Sequence, residues 1–284
     1  MPHTAAAARP IVPPSPMLPP RPRDSHKGDF GNVGILGGSP GMAGAALLCA
    51  RAALLLGAGR VYAGLLDDRI GLDFQAPEIM VCAPQRICDL DGPGCLVAGP
   101  GLGQTQAARD WLARAMGTPL PLLVDADGLN LMAADHALAD ALARRQAPTL
   151  LTPHPGEAAR LLGTDIPTIQ QDRERAIGQI ARRYRAGVIL KGAGSLVHFP
   201  DRPVWLNSTG NPGLAAPGMG DVLAGIIAAL AAQGMDMEAA ACLGVHLHGS
   251  AADDAVQEGL GPYGLTAGEV IQATRRRLNA GINI

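Results

Sequence analysis

The sequence predicts an α/β fold in three layers, with a mostly parallel central sheet and helices on both faces. Short apolar runs alternate with helical stretches from residue 33 to residue 190. Those runs are apolar almost without a break, the pattern of strands covered on both sides rather than on one. Glycine-, proline- and acid-rich loops follow several of them, where sheets of this kind build their ligand crevices.

In chain order, strands are expected at residues 33–36, 61–65, 79–82, 95–98, 122–124, 150–152 and 188–190. Helices are expected between several of them, at 43–56, 107–116, 137–145 and 170–183. Residues 195–199 and 204–206 suit a hairpin beside the last strand, and beyond Asp221 the chain reads as helical nearly to its end. With no internal repeat or linker, residues 25–284 read as one domain. Residues 1–24, rich in Ala and Pro, read as a disordered extension with no fold of its own.

The chain has 284 residues, 48% of them hydrophobic but only 3% aromatic, so its core is built from Ala, Leu, Val and Ile. Few rings, a net charge of −2 and no dense Lys/Arg block argue against a nucleic-acid partner. The apolar stretch 43–66 carries Arg51, Gly57, Gly59 and Arg60, which suits a buried helix followed by a strand better than a membrane span. Five cysteines without a CxxC pair read as buried free thiols of a cytoplasmic protein.

Six loops have chemical potential, each with a plainer alternative. Gly37-Gly-Ser-Pro-Gly-Met-Ala-Gly44 either holds an anion on backbone N–H groups or is a turn; it fits neither GxGxxG nor the Walker pattern. Gly99-Pro-Gly-Leu-Gly103 either lets a ligand approach the backbone or is again a turn. In Asp125-Ala-Asp-Gly-Leu-Asn130, Asp125 sits at a strand end suited to a metal or phosphate, whereas Asp127 and Asn130 also suit a turn and helix cap. Thr152-Pro-His-Pro-Gly-Glu157 presents His154 and Glu157 on a rigid loop, or Glu157 merely opens a helix. Lys191-Gly-Ala-Gly-Ser195 suits a nucleotide phosphate or base edge, or is a tight turn with a solvated lysine.

The sixth, Asn211 to Asp221, ends at a long apolar helix. The N–H groups of Gly218, Met219 and Gly220 are candidates for an anion hole at the helix mouth. Asp221 is then either a base, kept ionised by the helix field, or a plain N-terminal acid.

Taken in order with His26-Lys-Gly-Asp-Phe-Gly31, these motifs resemble the ADP-dependent NAD(P)H-hydrate dehydratases from about residue 25 to the end. The resemblance implies a ribokinase-like fold. It implies repair of (S)-NADHX or (S)-NADPHX to NADH or NADPH, with ADP (or ATP) as co-substrate. The route implied is phosphorylation of the ring hydroxyl, then loss of phosphate. Asp221 would be the base and touch the substrate. Ala45, Gly101, Gly103 and His154 would line the hydrate side. Lys191, Gly192, Ala193, Gly194, Ser195, Gly218 and Gly220 would line the nucleotide side. Glu157 would organise Mg²⁺ and phosphate, with Asp125 and Asn130 as further metal-side candidates. A homo-oligomer, a tetramer, is implied as well, acting on small molecules rather than on membranes. The epimerase domain fused ahead of this one in some relatives is not expected, since 24 residues cannot hold it. One departure is Pro217, where the family commonly has Gly; it removes one backbone donor from the loop. A small-molecule kinase of the same fold and an inactive nucleotide-binding regulator are the rival readings.

Overall fold

The computed structural model describes residues 8–13, 18 and 21–280. Its first half runs β1 (Arg9–Pro10), β2 (Asn32–Gly37), α1 (Ala43–Leu55), β3 (Arg60–Leu65), β4 (Met80–Cys82), α2 (Gln85–Cys88), β5 (Gly94–Ala98), α3 (Gln106–Met116) and β6 (Leu122–Val124). Next come α4 (Asp127–Ala134), α5 (His136–Ala143), β7 (Thr149–Leu151), α6 (Pro155–Leu162), α7 (Ile166–Gln171), α8 (Arg173–Tyr184) and β8 (Gly187–Leu190). The chain then forms β9 (Leu196–His198), β10 (Val204–Leu206), α9 (Met219–Ala232), α10 (Met237–Gln257) and α11 (Ala267–Asn279).

The strands form one sheet in the order β1-β10-β9-β8-β7-β6-β5-β2-β3-β4. Pairs from β8 to β4 are all parallel, and β8, β9 and β10 form the expected antiparallel hairpin edge. Successive strand residues serve opposite cores, as the period of two requires. Cys95, Val97 and Leu123 join α1, α9, α10 and α11 on one face. Leu96, Ala98, Leu122 and Val124 meet α3 to α8 on the other.

The small side chains have a packing reason. Helix α9 is buried along almost its whole length and lies against α1, and a Cβ on Gly225 would come 2.1 Å from the Cys49 carbonyl oxygen. Alanine and glycine let these backbones touch, so a core poor in aromatics still closes. Arg51, lodged in the same apolar stretch, makes a two-pronged pair with the buried Asp73 at 2.6 Å. Among the described residues no helix is long and apolar enough to cross a membrane.

Three expectations change. The helix expected at 170–183 is two helices, because Asp172 ends α7 and accepts the Arg175 N–H at 2.9 Å as the cap of α8. Within the extension, Arg9 and Pro10 pair in parallel with Trp205 and Leu206 and cover the open edge of β10. Arg21 also donates to the Gly57 carbonyl at 2.7 Å and lies over the Phe30 ring. Residues 1–7, 14–17 and 19–20 of that extension lie outside the described residues. All five thiols are free, but only Cys49 and Cys95 are buried.

Chain order reverses between β2 and β5. From β2 the chain moves outward to β3 and β4, then returns to the other side of β2. Loops leaving neighbouring strands there diverge and open a crevice at the carboxyl edge of the sheet. The loops after β2, β5, β6, β7 and β8 share that edge.

Candidate active site

Two glycine loops brace one wall. The Gly38 N–H donates to the Pro100 carbonyl at 3.0 Å and the Ser39 N–H to Gly101 at 2.7 Å. The Ser39 hydroxyl adds bonds to the Gly101 and Leu102 carbonyls. A Cβ on Gly37 would come 2.0 Å from the Pro100 oxygen, so the loops meet at a distance only glycine permits. The Gly38 and Ser39 amides are thus bound within the protein, and the first loop acts as a brace. Ala45, in the first turn of α1, is half-buried on the same side.

The next strand ends bring charges together. Asp125, at the end of β6, is 1% exposed, and its Oδ1 accepts from Lys191 Nζ at 2.8 Å. Lys191 follows β8 and also lies 3.9 Å from Glu157. Burial alone would lower the lysine's pKa, but Asp125 and Glu157 outweigh it and hold it above the ordinary value. Between Asp125 and Asp127, Ala126 has φ 50° and ψ −119°, a conformation strained for a residue with a Cβ. That sharp turn aims the two acids apart: Asp127 Oδ2 accepts the Gly103 N–H at 2.8 Å.

His154 and Glu157 form a reciprocal cap on α6. His154 Nδ1 accepts the Gly156 N–H at 3.0 Å, and Glu157 Oε2 accepts the His154 N–H at 2.8 Å. Burial and then the Lys191 charge keep the His154 ring below its ordinary pKa. Burial raises the Glu157 pKa against the pull of Lys191. Asn130 stands apart from this group: its Oδ1 accepts from Arg160 at 2.9 Å and ties α4 to α6.

The mouth of α9 faces the Lys191–Asp125 pair. The helix starts at Met219, earlier than the sequence suggests, after Gly218 at φ 85°. Its first backbone bond runs from the Val222 N–H to the Gly218 carbonyl at 3.0 Å. The N–H groups of Met219, Gly220 and Asp221 therefore have no partner inside the helix. Pro217 is exposed and precedes all three. A Cβ on Gly220 would sit 3.2 Å from Lys191 Nζ and 3.6 Å from Asp125 Oδ2.

The Asp221 carboxyl is pushed up to about 7, first by burial and next by the Asp125 charge, with Lys191 opposing. This reverses the expectation from the helix field alone. The acids of two neighbouring loops and the loss of water outweigh it.

A cleft of about 610 Å³ opens beside this mouth and is lined by residues 191–195, Asn207, Met219, Gly220 and His248. Two features, one behind a wall of the cleft and one lining it, escape sequence reading. Arg173 donates to the carbonyls of Leu190 at 3.0 Å, Ala193 at 2.7 Å and Gly194 at 2.9 Å, and so shapes the loop that forms one wall. His248 is 7% exposed and its pKa is lowered to about 4 by burial and the Lys191 charge. Nothing near Arg173 or His248 in the sequence marks either one, since the carbonyls that Arg173 binds and the Lys191 charge that His248 feels come from other segments.

A mostly parallel sheet covered by helices on both faces is the ribokinase-like fold, and a ribokinase-like superfamily protein of Enterococcus faecalis matches this chain with a TM-score of 0.78 at 26% identity, covering 92% of this chain and 90% of the other. Within that class, this chain belongs to the NAD(P)H-hydrate dehydratase family, whose model matches residues 33–275. It is 45% identical to the ADP-dependent (S)-NAD(P)H-hydrate dehydratase of Neisseria meningitidis, over 90% of this chain and 87% of that one. It is 39% identical to a bifunctional NAD(P)H-hydrate repair enzyme of Coxiella burnetii, matching 93% of its own length and 54% of the relative's. The chain thus spans about half of that longer relative. Among solved structures it resembles the ADP/ATP-dependent NAD(P)H-hydrate dehydratase of Bacillus subtilis, co-crystallised with ATP/Mg²⁺. The TM-score is 0.77 at 31% identity, covering 92% of this chain and 94% of the other.

Proposed function

We propose that this chain dehydrates (S)-NADHX and (S)-NADPHX to NADH and NADPH and converts ADP to AMP and phosphate. The observation that carries the reading is Asp221 in the first turn of α9, beside unpaired backbone N–H groups and Lys191. Asp221, ionised, takes the proton of the ring hydroxyl. The hydroxyl oxygen then forms a bond to the terminal phosphorus of ADP, and the bond from that phosphorus to AMP breaks. The amides of Met219, Gly220 and Asp221 hold the transferring phosphoryl group, and Lys191 adds positive charge. Phosphate next leaves with the C–O electron pair, helped by the ring nitrogen. Loss of a proton from the neighbouring ring carbon restores the double bond. Hydroxide is a poor leaving group and phosphate a good one, which gives nucleotide consumption its chemical reason.

Residues 191–195, Gly218 and Gly220 hold the nucleotide in this account, and Ala45, Gly101, Gly103 and His154 face the hydrate. Pro217 costs nothing here, because the amides used all follow it. Among the described residues no cluster of three His, Cys, Asp or Glu side chains is poised for a metal. That fits a Mg²⁺ ion held mainly by phosphate oxygens and water, with Glu157 and Asp125 as the nearby carboxylates and Asn130 already engaged. When bound, Mg²⁺ would offset phosphate charge. The enzyme is further proposed to act in the cytoplasm as a homo-oligomer, a tetramer by family resemblance.

The test mixes purified protein with ADP, Mg²⁺ and (S)-NADHX and follows the absorbance of reduced nicotinamide. Recovery of that absorbance supports the reading. No turnover with either ADP or ATP overturns it, and a stable phosphate ester would indicate a kinase instead.

A further inference from the structure

We infer that Asp127 is a positioning residue for the hydrate side of the cleft: its carboxylate, turned away from Asp125 by the strained Ala126, holds the Gly101–Gly103 segment in place. The inference rests on the proposed function for the identity of that side.

The plain role for an acid at the start of α4 is to cap its own helix. The structure gives Asp127 a different task. The start of α4 has no side-chain cap, and Asp127 Oδ2 instead accepts the N–H of Gly103, 24 residues earlier. The segment it grips is held from its other side by Ser39, whose hydroxyl donates to the Gly101 and Leu102 carbonyls. Gly101 and Gly103 lie at φ 58° and 75°, and a Cβ on Gly103 would come 2.8 Å from Ser39 Oγ. Glycine makes this turn possible but does nothing to keep it, because it brings the freest backbone of any residue. The two anchors supply what the glycines lack, and Asp127 is the charged one.

Ala126 explains why this acid reaches so far. A relaxed backbone at residue 126 would start α4 without the kink and send the residue 127 side chain elsewhere. Strain of this kind persists where the surroundings over-determine it. Here Asp125 is held by Lys191 on one side of the kink and Asp127 by Gly103 on the other. The elbow therefore joins the nucleotide wall and the hydrate wall through two neighbouring acids.

The decisive comparison is Asp127→Ala against Asp127→Asn. Asn keeps an acceptor oxygen and Ala does not. Loss of a charge-assisted bond should raise KM for (S)-NADHX about tenfold in the Ala variant. KM for ADP should stay within about twofold, and Asn should recover most of the loss. A rise in KM for ADP as large as that for the hydrate, or an Asn variant as impaired as Ala, would overturn the assignment. A second measurement needs neither turnover nor a variant: hydrogen exchange at the Gly103 amide of the wild-type protein. Protection of that amide relative to a free loop amide is expected, and exchange at the free rate would contradict the proposal. If the wild type regenerates no NADH, the function proposed above fails and with it the identity of the hydrate side, while the exchange result still decides whether the Gly103 amide is held as the bond to Asp127 requires.

Discussion

Lys191 Nζ lies 2.8 Å from Asp125 Oδ1, joining the ends of β8 and β6 across β7 directly beneath the mouth of α9. This pair is largely dry, so each partner depends on the other. Removing one charge from such a pair leaves the other buried and uncompensated, typically at a cost of about 3–5 kcal/mol. Lys191→Met should therefore lower stability by roughly that amount as well as activity. The double variant Lys191→Met/Asp125→Asn should regain much of the stability but none of the activity. Thermal melts and turnover of the single and double variants check this.

Asp221→Asn should fold, bind ADP and hydrate, and turn over slower by about 10²–10⁴-fold, the usual share of a general base. Calorimetric binding alongside kcat separates the two effects. Full activity in this variant would remove Asp221 from the base role.

The raised Asp221 pKa sets a pH dependence in activity and an opposite one in stability. As base, Asp221 must be ionised, so kcat/KM of the free enzyme should rise with pH through about 7 and then level. The fold favours the protonated form, because burial lifts the group above its unfolded value near 3.8. Its contribution is therefore whole below about 4 and is lost as pH rises through about 7. Asp221→Asn should melt above the wild type at pH 8, and the gap should shrink as pH falls toward 4.

Arg173 shapes, from outside the cleft, the 190–194 loop proposed to hold the nucleotide. Arg173→Ala removes bonds to four carbonyls of residues 190–194 and should raise KM for ADP about tenfold, with KM for the hydrate nearly unchanged. Initial rates with each substrate varied in turn provide the measurement.

The legible and illegible parts of the molecule divide on physical grounds. Strands β2 to β8 were readable because burial on both faces writes a continuous apolar run into each. The positions of Asp125, His154, Glu157, Lys191 and Asp221 were readable because each follows a strand or opens a helix with glycine or proline nearby, and their roles remain as proposed above. The edge strand Arg9–Pro10 was not, since its pairing uses backbone groups and an Ala/Pro-rich segment has no strand pattern. Asp172 hid a helix break inside a helical stretch, because only its side-chain bond to the Arg175 N–H marks it. Asp127 and Arg173 work through groups in other segments, and His248 is buried in the cleft by elements that meet only in the fold. The direction of the Asp221 shift depends on three loops meeting, which no local stretch encodes.

In the proposed reaction one phosphoryl group passes from ADP through the hydrate to phosphate at the mouth of α9. A phosphorus NMR time course with ADP, Mg²⁺ and (S)-NADHX, read beside nicotinamide absorbance, tests it most directly. One AMP and one phosphate are expected for each NADH formed, and none of the three when hydrate is omitted. A persistent phosphorylated hydrate, or ADP breakdown without NADH, would contradict it.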